Sequence, residues 1–373
     1  MRANNILGII FANAYDNVLG GMTAPRAMGS VPFGGSYRLI DFTLSNMVNA
    51  GIDKVGVITS NNYQSLMDHL GNGKPWDLAR KHDGLFFLPP FSAQELERYN
   101  SGRLGALQNN TQFLEMSNEE YVVMSDCNAV MNIDLREVFR YHLEKNADIT
   151  MVYRYGSVPK LNNRLVIDKI TDGRVCAMSI ATADREGDAN CAANITIMRK
   201  ALLESLLREA NASNAASFER DVLLKNVTNL RIFGYEFKEF CPIIDSIQTY
   251  FDANFALLDE KNQKQLFVRG RPIYTKVYDD MPVVYGLGSE VKNSLVADGC
   301  VIDGIVENSI VFRNCRIAKG AVVRNCVIMP SGFVADDATL ANCILDKDVT
   351  VRSGRTLSGA ETYPVYLAKG IRV

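Results

Sequence analysis

Between Ile6 and Thr59 the chain alternates continuous apolar runs with one long polar stretch. Ile6-Leu7-Gly8-Ile9-Ile10-Phe11 has strand length and no polar position, the pattern of a central strand buried on both faces. Leu39, Ile40, Leu44, Met47 and Val48 recur at helical spacing, Gly51 follows where a left-handed cap ends helices, and Ile52 to Thr59 is a second β-branched run. The stretch reads as one β-α-β unit. Its loop, Ala12 to Gly35, lies beyond the carboxyl end of the first strand, where ligands of such sheets bind.

The alternation continues. Strand patterns at Tyr121–Ser125, Ile149–Arg154 and Cys191–Met198 are interleaved with helical patterns at Leu135–Lys145 and Lys200–Glu209, and a last helix is expected over Tyr250–Lys261. This predicts an α/β fold with a mostly parallel sheet and helices on both faces. Lys74 to Gln94, rich in Gly, Pro and aromatic residues, reads as a long functional loop. Pro272 and Pro282 mark a connector.

Beyond it the period changes. Asn293-Ser294-Leu295-Val296, Asn308-Ser309-Ile310-Val311, Asn325-Cys326-Val327-Ile328 and Asn342-Cys343-Ile344-Leu345 repeat one phrase at offsets of 15, 17 and 17. Ile302, Ile317, Val323, Val334, Leu340 and Val351 divide most intervals into steps of five or six, the signature of a three-faced parallel β-helix. Cys300, Cys315, Cys326 and Cys343 then serve as small interior residues. The expected division is an α/β domain over 1–262, a connector over 263–285 and a repeat domain over 286–373.

A chain of 373 residues exceeds a single core, in keeping with two domains. The formal net charge of -2 gives no electrostatic reason for nucleic acid or an anionic membrane as partner. The first apolar run breaks at Asn13, unlike a signal peptide, and no stretch reaches the roughly 20 apolar residues of a membrane span. Eight cysteines without a C-x-x-C pair read as reduced thiols, so a cytoplasmic protein is expected. Many β-helices of this period are acyltransferases needing a His base. The three histidines, His69, His82 and His142, all lie outside the repeats and lack metal-ligand spacing, so a structural or assembly role for the repeats is the better reading.

Val31-Pro32-Phe33-Gly34-Gly35-Ser36-Tyr37-Arg38-Leu39-Ile40-Asp41-Phe42, Leu44-Ser45-Asn46, Asn49-Ala50-Gly51-Ile52 and Arg271-Pro272-Ile273-Tyr274-Thr275 closely resemble the signature of glucose-1-phosphate adenylyltransferases, the ADP-glucose pyrophosphorylases. The resemblance spans nearly the whole chain. It implies a nucleotidyltransferase α/β domain followed by a left-handed parallel β-helix, and a reaction joining ATP to glucose 1-phosphate with release of pyrophosphate. Such transfer depends on backbone donors, a Lys or Arg, and carboxylates holding Mg²⁺.

Measured against that pattern, this chain departs at each element. The family's glycine-rich phosphate loop with its Arg is replaced by Phe11-Ala12-Asn13-Ala14-Tyr15-Asp16-Asn17, and its lysine by Met28. Alignment on Asp134 places Asn128 at the first metal aspartate, with Asp126 two residues away as the alternative. Counting back from Tyr250-Phe251-Asp252-Ala253-Asn254 places Ile243 at the second, with Asp245 nearby but off the spacing. Isoleucine cannot ligate Mg²⁺. The sugar-phosphate E-K-P motif is absent between Ile170 and Ala192, and the G-T-A-D-A segment reads Gly102-Arg103-Leu104-Gly105-Ala106.

Arg26, Gly34, Gly35, Arg38 and Asp221 remain as candidate ligand contacts, Asp221 through a sugar. The plainer alternatives are that Arg38 and Asp41 form a structural pair, that Arg103 is solvated at the surface, and that Trp76 is a packing anchor. Losing so many elements while keeping the fold signature resembles the GlgD-type, non-catalytic subunits of the family. That resemblance implies no cofactor on this chain, Mg²⁺ and ATP at a catalytic GlgC-type partner subunit, a heterotetramer with some self-association, and a small phosphorylated effector. The alternatives are an active adenylyltransferase using Asp126 and Asp245, and a stand-alone sensor of a sugar phosphate.

Overall fold

The computed structural model describes residues 5–60, 62–90, 102–158, 164–182, 185 and 187–373. Strand β1 (Ile6–Phe11) runs parallel to its two neighbours in a nine-stranded sheet. The strands follow as a short hairpin, β2 (Pro32–Phe33) and β3 (Tyr37–Arg38), then β4 (Lys54–Ile58), β5 (Gly84–Leu88), β6 (Tyr121–Asp126), β7 (Ile149–Ser157), β8 (Arg164–Thr171), β9 (Arg174–Ala181), β10 (Asp188–Arg199) and β11 (Ile232–Glu236). The sheet order is β5-β4-β1-β6-β10-β7-β11-β9-β8. The half containing β5, β4, β1 and β6 is parallel, whereas β10 is antiparallel to both neighbours and β8 and β9 form an antiparallel hairpin.

The alternation of side chains along β1 explains its uninterrupted apolar run. Ile6 and Ile10 enter one core, while Leu7, Ile9 and Phe11 enter another on the opposite face. Helix α1 (Leu39–Asn49) ends as expected, with Gly51 at φ 83° just past its cap. Two expectations need correction. Lys74 to Gln94 is not one loop: it holds a single turn of 3₁₀ helix at Lys74–Trp76 and the edge strand β5, with residues 91–94 outside the described part. The last helix of the domain is two, Ile247–Ala256 and Glu260–Leu266, because the Asp259 side chain accepts from Lys261 N at 2.9 Å and starts a new one.

The repeats form a parallel β-helix. Its first face stacks Val284–Tyr285, Val301–Ile302, Arg316–Ile317, Phe333–Val334 and Thr350–Val351. Two further faces run through the rows headed by Glu290–Lys292 and Leu295–Val296. The repeated asparagine has a backbone cause: Asn293, Asn308, Asn325 and Asn342 turn one corner at φ 42°, 46°, 48° and 51°. Asn tolerates that left-handed region better than other residues with a β-carbon. The four repeat cysteines are buried in the interior.

The third face serves two cores. Val311, Ile328 and Leu345 fill the β-helix, whereas Ile310, Val327 and Ile344 join the core beneath α1 and β1. Beside them Arg26 Nη1 lies 2.8 Å from Asp346 Oδ1, both essentially inaccessible, and Tyr366 Oη donates to Asp346 Oδ2 at 2.7 Å. Removing one partner of a buried pair leaves an uncompensated charge. Asp346→Ala is therefore expected to lower unfolding free energy by about 3–5 kcal/mol, measured by urea denaturation, with Tyr366→Phe costing less.

Candidate functional site

The loop after β1 is held shut by its own side chains. Asn13 Oδ1 accepts from Ser60 N at 2.8 Å, Asn13 Nδ2 donates to Asp16 Oδ2, and Asp16 Oδ1 accepts from Met28 N at 2.7 Å. A carboxylate thus takes a backbone donor of the loop. Burial pushes the Asp16 carboxyl up to about 6, against the pull of its bonds from Asn13 and Met28. Met28 itself is buried.

At the carboxyl end of the parallel strands, Asp126 ends β6 beside Phe11 of β1. Arg103, the first residue of helix α3 (Arg103–Asn109) when α2 is Gln64–Leu70, reaches across this edge. Its Nη2 pairs with Asp126, its Nη1 lies 2.8 Å from Glu219 Oε1, and Nη2 also donates to Tyr15 Oη at 3.2 Å. Asn194 Nδ2 donates to the same hydroxyl at 2.8 Å. The Asp126 carboxylate is 1% exposed and the Arg103 side chain 12%, so this is an enclosed ion cluster. Burial, then Asp126, pushes the Tyr15 hydroxyl up to about 12. Arg103 is therefore not a solvated surface residue.

The two positions aligned with metal aspartates do meet. Ala129 bridges to Ile243, Ile244 N donates to Asn128 O at 2.7 Å, and Asn128 Nδ2 faces Ile244 O at 3.4 Å. Neither side chain is anionic. The carboxylate that ends the strand is Asp126, two residues before Asn128, and it already holds a guanidinium. Asp245 is also buried, and its Oδ1 accepts from Thr249 Oγ1 at 2.9 Å. Among the described residues no three His, Cys, Asp or Glu side chains converge. Mg²⁺ prefers an octahedral shell of oxygens anchored by carboxylates. The residues present do not fit it.

The remaining candidates divide. Arg26 is committed to Asp346, and Asp221 Oδ2 accepts from Ala216 N and Ser217 N, both at 2.9 Å, so it caps a chain turn rather than facing the sheet edge. Its neighbour Glu219 is the residue that enters the site. Gly34 and Gly35, at φ 62° and 85°, turn the β2–β3 hairpin. Arg38 and Asp41 do not form a side-chain pair: Arg38 Nη1 donates to Ser65 O at 2.6 Å, while Asp41 accepts from Arg38 N and Thr275 Oγ1 and meets His69 Nε2 at 2.6 Å. Trp76 packs edge-on against His69, as a packing anchor would.

Gly35 and Arg38 do line a cavity of about 230 Å³ between the two domains, with Tyr278, Arg313 and Lys347. Burial, then the nearby Arg38 and Arg26 charges, lowers the Lys347 ammonium to about 7. Arg313, Pro330 and Lys347 sit at one corner of successive coils, so the 17-residue period itself could have located this cationic corner.

A nucleotidyltransferase-type sheet carrying a hexapeptide β-helix is the class these features define. The Nucleotidyl transferase family matches residues 8–162, and the GlmU-like C-terminal hexapeptide family matches residues 284–361. The chain is 36% identical to "Glycogen biosynthesis protein GlgD" of Bacillus subtilis over all of its length and 98% of that protein. It is 36% identical to GlgD of Geobacillus stearothermophilus over 86% of this chain and 83% of that one, and 33% identical to the glucose-1-phosphate adenylyltransferase of the same organism over 85% and 83%. The chain belongs to the GlgD and glucose-1-phosphate adenylyltransferase family.

A carboxyl whose folded pKa is raised costs stability as pH climbs from its unfolded value near 3.8 through about 6. The parent's unfolding temperature should carry a component that falls as pH rises from about 4 to about 6. Asp16→Asn, which keeps the acceptor for Met28 N and loses the one for Asn13 Nδ2, should remove that component whatever its own baseline stability, as followed by calorimetry.

Proposed function

We propose that this chain is a non-catalytic, cytoplasmic subunit of glycogen biosynthesis that assembles with a catalytic GlgC-type subunit and modulates its conversion of ATP and glucose 1-phosphate to ADP-glucose. The observation carrying this reading is the Arg103–Asp126 pair: the strand-end carboxylate already has its counter-ion, while Asn128 and Ile243 supply none. Loss of metal and phosphate clamping removes several kcal/mol of transition-state stabilisation for each element. The β-helix supplies flat faces suited to subunit contact. No helix among the described residues is long and apolar enough to cross a membrane.

Pyrophosphate release from ATP and glucose 1-phosphate tests the proposal. The expected outcome is no turnover by the chain alone and raised turnover, or a shifted effector response, when it is mixed with a GlgC-type subunit from the same genome. Magnesium-dependent turnover by the chain alone would overturn it.

The cavity at Arg38, Arg313 and Lys347 supports the effector role: Asp280 and Asp348 also line it and Asp280 pairs with Arg313 at 3.3 Å, so Arg38 and Lys347 are the lining cations that form no ion pair among the described residues. A phosphorylated ligand there would favour the charged form of Lys347. Phosphate affinity should accordingly fall as pH rises through 7, and Lys347→Gln should both weaken binding and flatten that dependence in calorimetric titrations.

A further inference from the structure

The Arg103 cluster has the composition of a cation site with its cation built in. Two carboxylates from separate segments, Asp126 at the end of β6 and Glu219, converge on one guanidinium, and the hydroxyl of Tyr15 lies 3.2 Å from it. The site is also under-filled. Asp126 Oδ1 is buried and has no hydrogen-bond partner, an acceptor that a single guanidinium leaves bare. A hydrated divalent ion has no such limit, since it carries several donor waters as well as its charge.

We propose that Arg103 is an internal substitute for a divalent cation, and that its side chain masks a latent metal site formed by Asp126 and Glu219. The physical case is one of tethering. A guanidinium fixed to α3 has an effective concentration in the millimolar range or above, remains charged throughout the physiological pH range, and makes charge-assisted bonds to both carboxylates. Free Mg²⁺ must displace it and shed water to enter. The wild-type chain is thus indifferent to divalent ions at this edge without having lost its strand-end carboxylate.

This inference rests on the non-catalytic reading but is tested separately from it, on the isolated full chain and without turnover. Mn²⁺ binding is followed by electron paramagnetic resonance for the wild type, Arg103→Ser, Arg103→Gln, and Arg103→Ser with Asp126→Asn. The expected result is one Mn²⁺ bound by Arg103→Ser or Arg103→Gln at least roughly tenfold more tightly than by the wild type, and lost when Asp126→Asn is added. Equal binding by wild type and variants, or binding that survives Asp126→Asn, would overturn the assignment. The wild type gives an independent readout should both variants fold poorly. Its thermal midpoint should not move with millimolar Mg²⁺, and a rise that Asp126→Asn abolishes would equally sink the idea.

Discussion

The arrangement depends on a face of the β-helix being used twice. Alternate residues of its third face point in opposite directions, so one row, Val311, Ile328 and Leu345, fills the helix while Ile310, Val327 and Ile344 complete the core of the sheet domain. Full burial of each such side chain contributes about 1.5–3 kcal/mol, and the contact is apolar and continuous. The two domains are consequently packed as one body here, unlike the smaller and more polar interfaces that let domains move. The Arg26–Asp346 pair adds register to that contact, because a buried ion pair tolerates little displacement even where its net contribution is small.

That packing sets where chemistry is available. The loop after β1 is anchored at Arg26 to the last coils and at Asn13 to the end of β4, so its path is decided at both domains. The cationic cavity opens beside it, lined by the hairpin turn on one side and the β-helix corner on the other. Lys347 follows Asp346 directly in the chain. A charge change at the cavity is therefore one residue from the ion pair that holds the loop.

Much of the fold was legible in the residues. The apolar run of β1, the helix ending at Gly51 and the Asn-led repeat each had a local physical cause that survives in three dimensions. Strands β8, β9 and β11 were not recovered, since their patterns are broken by half-exposed polar positions at the far side of the sheet. The site was read less well. Departures at Met28 and Ile243 could be seen as missing chemistry, but what replaced it could not. Arg103, Glu219, Tyr15 and Asn194 are separated by up to 204 positions and meet only through the sheet. Arg26 and Asp221 illustrate the converse. Each matches a ligand-contact pattern in sequence, yet tertiary structure commits Arg26 to Asp346 and Asp221 to backbone amides.

The charges at the sheet edge also explain how acidic side chains are accommodated inside the fold. A pair of inward carboxylates with nothing between them repels and is poorly solvated, which favours protonation of one of them. An arginine from α3 resolves this from within the chain. It pairs with both Asp126 and Glu219, lies over the Phe11 ring with its carbon at 5.8 Å from the centroid, and ties α3 to β1 and β6. The cluster is therefore held by partners from its own sequence. The sheet edge at Phe11 and Asp126 is thus closed by side chains of the chain itself, and α3 is held to it by charge and ring contact together.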